Sequence, residues 1–448
     1  MNRRRIGRLA VLAFSSLLTL HSFAQEKKTL TLTEAIDLSV KNSKQLKGST
    51  ARVEEAVAAV KEAEERKLPE VGASASYLRL NNPNIDLRAK SNNGGSGGGT
   101  TTESPKPSQV MYGMVNASVP IFSGFRIKYG IESAKFLEQA TRLDAENDKE
   151  EIVLNTVDAY NNLYKSKAAV DLVNENLASA RERATQFANL EKNGLLPRNE
   201  LLKAQLQVSN TELSLLDAQN NWHLANINMN LMLGLPEATE LLIDSNSLQS
   251  AVNLKGVEDY VQAALQNRKD LSALDYRKKA AESATKISKG EKYPSIAVTG
   301  GYVAANIPSV LTVTNAINLG LGVQYSLSSL WKNNSKVKQA EARERQVAAN
   351  EELLTDAIRL QVNQAYQNYL SSQKKIEVYQ TAIAQATENY RIVNNKYQNA
   401  LATTTELLDA DVAQLQARLN YAFAKSDAVV AYNRLLQAAG LLTQTTNK

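Results

Sequence analysis

YLSSQKKIEVYQTAIAQATENYRIVNNKY, residues 369–397, sets the architecture of this chain. Tyr369, Ile376, Ile383, Tyr390 and Tyr397 recur every seven residues, and Tyr379, Ala386 and Val393 fall three positions after their neighbours. That three-four alternation keeps one apolar stripe turned toward a partner helix as the pair supercoils. Reading outward, the helical pattern runs from Trp331 to Gln398 without proline or glycine. A counterpart runs from about Phe125 to Leu190 with only Gly130 inside it. Its stripe is Val153, Val157, Tyr160 and Tyr164, then Val173, Leu177, Ala180, Ala184 and Phe187. About 67 residues at ~1.5 Å each make roughly 100 Å of helix, far beyond the roughly 8–20 residues of a common globular helix.

The existence of a counterpart reflects a duplication. Ala35-Ile36-Asp37-Leu38, Asn42, Pro69 and Tyr77 recur as Tyr260-Val261-Gln262-Ala263, Asn267, Pro294 and Tyr302, a shift of 225 residues. Farther on the shift is 206: Ala159-Tyr160 matches Ala365-Tyr366, and NGLLPRNELLKA at 193–204 matches NALATTTELLDA at 399–410. The difference arises between Tyr77 and Tyr160. Most of it is residues 91–104, SNNGGSGGGTTTES, which have little to bury and much backbone entropy to lose, so a solvent-facing loop is expected there.

Each half opens with a helical pattern, Thr33 to about Lys67 and Val257 to about Glu291, expected as one helix apiece. Pro69 and Pro294 end them, because proline removes an amide and biases its predecessor away from helix. Two extended pieces follow in each half: 71–80 and 110–122, then 295–303 and 317–330. Val71, Ala73, Ala75 and Tyr77 alternate with Gly72, Ser74 and Ser76. Met111, Gly113, Val115, Ala117 and Val119 alternate with Tyr112, Met114, Asn116 and Ser118. Period-two segments about ten residues long, small or polar on one face, fit the wall of a membrane barrel. Four strands are too few to close one, so several chains must contribute.

The long helices reverse at EKNGLLPRN, 191–199, and at QNALATTT, 398–405. Thr403 and Glu406 have the spacing of a capping box. The expected organisation is therefore a signal peptide at 1–24, a mixed-region start and first helix at 25–67, and a β-hairpin at 68–123 carrying a Gly/Ser-rich loop at 89–108. A long helical hairpin at 124–233 and a mixed linker at 234–256 complete the first half. The second has its first helix at 257–291, a β-hairpin at 292–330, a helical hairpin at 331–439 and a tail at 440–448.

Export follows from the first residues. Arg3, Arg4, Arg5 and Arg8 precede the apolar run Leu9 to Leu20, which leads to Ser22-Phe23-Ala24, with small residues at the two positions a signal peptidase reads before a cut. Those four arginines account for most of the formal +6, leaving about +2, so no nucleic-acid surface is implied. Cysteine is absent and only His21 and His223 are present, which excludes thiolate and multi-histidine metal centres. No nucleotide-binding glycine loop is found, no convergent catalytic set can be specified, and no cofactor is called for. The expected class is a non-enzymatic membrane protein of mixed α+β fold.

The duplicated order of helix, strand, strand, helix and helix, VPIFSGF at 119–125, the opening LTLTEAIDLSVKNS at 30–43 and the paired turn segments together resemble the TolC-type outer-membrane efflux proteins over essentially the whole mature chain. The resemblance implies a homotrimer with four strands per chain in one shared twelve-stranded barrel, and long antiparallel coiled-coil helices forming a periplasmic α-barrel. It implies an exit duct of a tripartite efflux or type I secretion assembly, opened at its periplasmic tip by an adaptor protein and driven by an inner-membrane RND or ABC-type pump. It assigns Glu406 and Asp409 to the acidic constriction, with glutamate where the best-known type has aspartate. Glu406 as a helix cap is the competing reading. Gly194, Leu195, Leu196, Ala400 and Leu401 become adaptor contacts, against ordinary turn chemistry. Pro120, Phe122, Gly124 and Phe125 become the strand-to-helix corner beside outer-membrane lipid. A non-conducting structural or adhesive envelope scaffold is the rival to the duct.

Overall fold

The computed structural model describes residues 27–81, 107–243, 254–308 and 310–442. The expected signal peptide, nearly all of the Gly/Ser-rich loop, part of the 234–256 linker and most of the tail lie outside the described residues. The first repeat runs β1 (Lys27–Leu30), α1 (Leu32–Asn42), α2 (Lys44–Glu65), β2 (Glu70–Arg79), β3 (Gln109–Phe122), α3 (Arg126–Lys192) and α4 (Arg198–Leu233). The same order returns as β4 (Glu240–Ile243), α5 (Val257–Asn267), α6 (Lys269–Gly290), β5 (Ser295–Ile307), β6 (Leu311–Gln324), α7 (Ser329–Gln398) and α8 (Thr404–Ala438). Two compact units result. One contains Met1–Gly48, Glu146–Arg268 and Asp356–Lys448, the other Ser49–Ala145 and Lys269–Thr355.

The second unit holds an antiparallel sheet in the order β2-β3-β5-β6. Its register sorts the side chains. Val71 lies opposite Ala117, Val115 opposite Tyr302, Val298 opposite Leu321, and Tyr302 opposite Ile317, so these share one apolar face. Ser74, Ser76, Asn116, Ser118, Thr299 and Asn318 share the other, which is mostly small and polar but also carries Tyr112, Met114 and Val303. On β6 the apolar face is bare: Ile317, Leu319, Leu321 and Val323 are 68–83% exposed. Within the four strands the charged residues are Glu70 and Arg79, at the two ends of β2. No helix among the described residues is long and apolar enough to cross a membrane.

The fourth strand departs from the expected 317–330. It begins earlier, at Leu311, passes Asn315 at φ 58°, and ends at Gln324. Ser326 and Ser328 pair their hydroxyls, while the Ser329 and Leu330 amides turn back to the Ser326 and Leu327 carbonyls at 2.9 and 3.1 Å. Serine offers the backbone this local alternative to a ladder, and α7 therefore starts at Ser329, two residues before Trp331.

In the first unit β1 and β4 pair in parallel, with Leu30 opposite Ile243. Leu30, Ala35, Tyr160, Leu163, Met229, Leu233 and Leu241 pack as one buried cluster. The Tyr160 hydroxyl is satisfied by donating to the Leu30 carbonyl at 3.0 Å. Asn226 donates to the Thr239 carbonyl and accepts from the Leu241 amide, at 2.8 and 3.0 Å, which seats β4 on α4.

The first helix of each repeat is two helices. The breaks fall at Ser43 (ψ 121°) and Arg268 (ψ 127°), positions separated by the repeat shift. Each break abuts the glycine that ends a long helix. A Cβ on Gly234 would come within 3.1 Å of the Asn42 side chain, and one on Gly440 within 3.0 Å of the Arg268 amide. Both glycines adopt the left-handed conformation of a helix stop, at φ 69° and 68°. The joint also satisfies helix-end carbonyls. Asn42 donates to the Leu233 carbonyl at 2.6 Å, and the Arg268 guanidinium to the Ala438 carbonyl at 3.4 Å and to Gln361 at 2.8 Å. Hydrophobic periodicity continues through both breaks, which is why one helix was expected in each half.

Candidate functional site

The two hairpin turns, both in the first unit, share one backbone frame. In the α3–α4 turn Gly194 sits at φ 73°, and the Leu195 amide reaches the Leu190 carbonyl at 2.9 Å. In the α7–α8 turn Ala400 sits at φ 58°, and the Leu401 amide reaches the Lys396 carbonyl at 2.8 Å. These are the paired bonds of a left-handed helix stop. Ala400 has a Cβ in a region that disfavours one. The frame turns Leu195 and Leu401 outward, 73% and 76% exposed. Leu196 instead packs toward the buried cluster of Phe187, Ala204 and Leu407, where Phe187 stacks on Tyr397 with ring centroids 5.4 Å apart.

Beyond the turns the helix starts differ. Pro197 precedes α4 and makes no side-chain cap. Thr403 precedes α8 with a complete capping box: the Glu406 carboxylate accepts the Thr403 amide and hydroxyl at 2.7 and 2.9 Å, and the Thr403 hydroxyl accepts the Glu406 amide at 3.2 Å. Those bonds, the backbone one foremost, hold the Glu406 carboxyl below its ordinary value. Asp409 lies a turn later and is exposed. At the equivalent places in α4, Glu200 accepts from Lys203 at 3.0 Å and from Asn199 at 2.8 Å. Thr404 first, and then Lys203, hold Glu200 below its ordinary value too.

Sequence reasoning missed the polar link that lies behind the turns. Arg183 of α3 meets Asp411 of α8 at 3.1 Å, with only 8% and 5% of the two side chains exposed. Arg183 also donates to the Tyr390 hydroxyl of α7 at 3.0 Å, and Asn176 donates to Asp411 at 3.3 Å. Burial, the largest single influence, works against the arginine's charge, but Asp411 and Tyr390 together outweigh it and the guanidinium is held ionised. The three charged and phenolic groups thus join both hairpins. The available signal was Arg183 lying beside the apolar seam of Ala180, Ala184 and Phe187, and Asp411 one residue from buried Ala410. Exposed ion pairs continue the α3–α8 contact, including a two-point bond from Arg418 to Glu175 at 3.0 and 2.8 Å and Lys165 to Asp427 at 2.8 Å.

In the second unit, the corner after β3 places Gly124 and Phe125 consecutively at φ 64°. A Cβ on Gly124 would collide with the Gly290 carbonyl, and one on Gly290 with the Gly124 carbonyl, so the two backbones touch only because both are glycine. Register shifts between Pro120 and Phe122. The Phe125 ring meets Phe122 and Tyr293 edge-on, at 5.2 and 6.4 Å.

A sheet with one bare apolar face, joined in sequence to two long helical hairpins, is the architecture of an outer-membrane conduit subunit. The sequence profile of the outer membrane efflux protein family matches residues 35–235 and 260–441, one span per repeat. The chain is 22% identical over 442 residues to the outer membrane efflux protein BepC of Brucella suis biovar 1 (strain 1330), covering 97% of this chain and 90% of BepC. Its fold is similar to that of the outer membrane protein VceC from Vibrio cholerae, with TM-score 0.73, 18% identity, and 91% and 96% of the two chains covered. It is also similar to the Campylobacter jejuni CmeC outer membrane channel, with TM-score 0.75, 18% identity, and 92% and 86% covered. The chain belongs to the outer membrane efflux protein family. It is an outer-membrane transport protein with the general role of an efflux duct.

Proposed function

We propose that three copies of the chain close one twelve-stranded barrel across the outer membrane and line a single helical tunnel, forming the passive exit duct of a tripartite efflux or type I secretion assembly. The observation that carries this reading is the four-stranded sheet, with its bare apolar face, its uncharged strand interiors and its two edges, β2 and β6. An unpaired backbone group costs several kcal/mol in lipid. Further copies supply the missing edges, and closure alone removes them all. The sheet's polar face then lines the lumen.

At the helical turns, Leu195 and Leu401, with Gly194 and Ala400 beside them, form the apolar contact for the hairpin of a periplasmic adaptor. Leu196 braces that surface from within. The adaptor connects the duct to an RND or ABC-type pump. Glu406 and Asp409 of three copies form the acidic constriction, where crowded carboxylates favour cations. The Glu406 cap is compatible with this role, because a helix start that faces the lumen presents its cap there.

Planar-bilayer recordings test the constriction. Glu406→Ala with Asp409→Ala is expected to raise conductance and to weaken cation selectivity and divalent block. Unchanged values of all three would remove the two acids from the constriction. Release of ions trapped in liposomes tests the duct itself, since a scaffold leaves them inside.

A further inference from the structure

Three of the four strand ends where the sheet gives way to helix carry mostly positive charge, while the fourth, the start of β2, is acidic, with Glu62, Glu64, Glu65 and Glu70 against Arg66 and Lys67. Residues 123–130, 286–294 and 325–338 contain eight lysines and arginines against a single acid, Glu291, in a chain with 52 basic and 46 acidic residues overall. These segments lie together in the second unit. The backbones of Gly124 and Gly290 touch, Asn333 donates to the Ser288 carbonyl at 2.7 Å, and Ser295 at the start of β5 pairs with Gln324 at the end of β6. Lys336 takes Glu291 at 2.8 Å, Lys289 takes Glu341 at 3.0 Å, and Arg126 turns to the Ser123 carbonyl at 2.8 Å. Lys128, Lys286, Lys292, Lys332 and Lys338 are exposed and have no carboxylate partner among the described residues. Aromatic rings are set among them. Lys286 and Lys128 stand over the Tyr129 ring at 5.5 and 5.8 Å, while Phe125, Tyr293 and Trp331 are 50%, 55% and 66% exposed.

The change along the chain is abrupt. Leu319, Leu321 and Val323 belong to the bare apolar face, and Lys332, Lys336 and Lys338 follow within one short segment. We propose that this collar of lysines and exposed aromatic rings binds the anionic headgroups of glycerophospholipids, phosphatidylglycerol in particular, in the leaflet adjoining the helices. The inference rests on the reading that the sheet spans the bilayer, which puts the helix-proximal strand ends at headgroup depth. Aromatic rings favour that depth, and lysines attract anionic lipid there over a range set by salt screening. The apolar sheet face continuing directly from the collar favours a lipid over an acidic protein as the occupant.

The test uses the full chain reconstituted with mixed phosphatidylcholine and phosphatidylglycerol, with retained lipid counted by native mass spectrometry. The wild type is expected to retain phosphatidylglycerol several-fold over its share of the mixture, and to lose the preference in high salt. Substituting the five unpartnered lysines by glutamine should bring retention to parity without changing the melting temperature in phosphatidylcholine alone. Lys332→Gln with Lys338→Gln, a milder change should the five together impair folding, should lose part of it. No enrichment in the wild type, enrichment that persists in both variants, or displacement of phosphatidylglycerol by lipid A would each overturn the proposal. Trp222→Phe leaves Trp331 as the one tryptophan, and its quenching by brominated phosphatidylcholine reports membrane depth separately. Quenching without enrichment defeats the collar alone. Absence of quenching defeats the spanning reading and the collar with it.

Discussion

At the α3–α4 turn the left-handed position is Gly194 and the next helix starts from an uncapped Pro197, whereas at the α7–α8 turn the same position is Ala400 and the helix starts from the Thr403–Glu406 box. The charges diverge as well. Glu200 is compensated by Lys203, while Glu406 is followed by Asp409, the residue that stands where the first repeat has lysine. Duplication preserved the backbone bonds that reverse the chain and left the solvent-facing positions free to change. One copy of a shared scaffold pairs its carboxylate with a lysine and the other sets two carboxylates a turn apart.

The largest test of that comparison concerns whether the two hairpins act together. Arg183→Leu leaves Asp411 buried without its cation and is expected to cost about 3–5 kcal/mol, while Arg183→Leu with Asp411→Leu should recover most of it. Thermal unfolding followed by circular dichroism reads both, and equal losses in the single and double variants would show that the pair does not couple α3 to α8. A reciprocal exchange at the left-handed position comes next. Gly194→Ala should destabilise its turn by about 1–2 kcal/mol, and Ala400→Gly should be neutral or stabilise by up to about 1 kcal/mol. Two shifts of the same sign and size in the same melts would mean the turns are not equivalent in backbone.

The smallest effect is in pH. Glu406 and Glu200 have folded-state values below their ordinary 4.5. A depressed carboxyl contributes stability that is fully present above its unfolded value and is lost as pH falls through the folded one. Hydrogen-exchange protection of the α4 and α8 first turns should therefore decline together below about pH 4.5. Thr403→Ala should remove most of the acid response of α8, while α4 keeps its own through Thr404 and Lys203. If α8 still responds in that variant, the capping box is not what holds Glu406.

Several features were legible because their physics is local or periodic. Proline at 69 and 294 ends helices, alternation from Val71 to Tyr77 assigns two sheet faces, and the seven-residue spacing from Tyr369 to Tyr397 demands a partner helix. Thr403 and Glu406 announced their cap by spacing alone. The break at Ser43 carries a local cap, its hydroxyl accepting the Leu46 amide at 3.2 Å, but continuous periodicity hid it, and the joint it serves lies nearly two hundred residues away, at the Leu233 carbonyl that Asn42 satisfies. Residues 326–330 read as an extension of β6 until their serine hydroxyls and turn bonds were seen.

By itself the sequence determined the duplication, the pairing of long helices with short alternating strands, and the places where the chain must reverse, because each follows from a residue's own backbone limits or from a repeat along the chain. Only the tertiary structure decided that Arg183, Tyr390 and Asp411 would meet, that Leu196 would turn inward while Leu195 turned out, and that Gly124 would touch Gly290. Such contacts join segments remote in sequence, and whether a charge is buried with a partner or left in water depends on which surface folding brings against it.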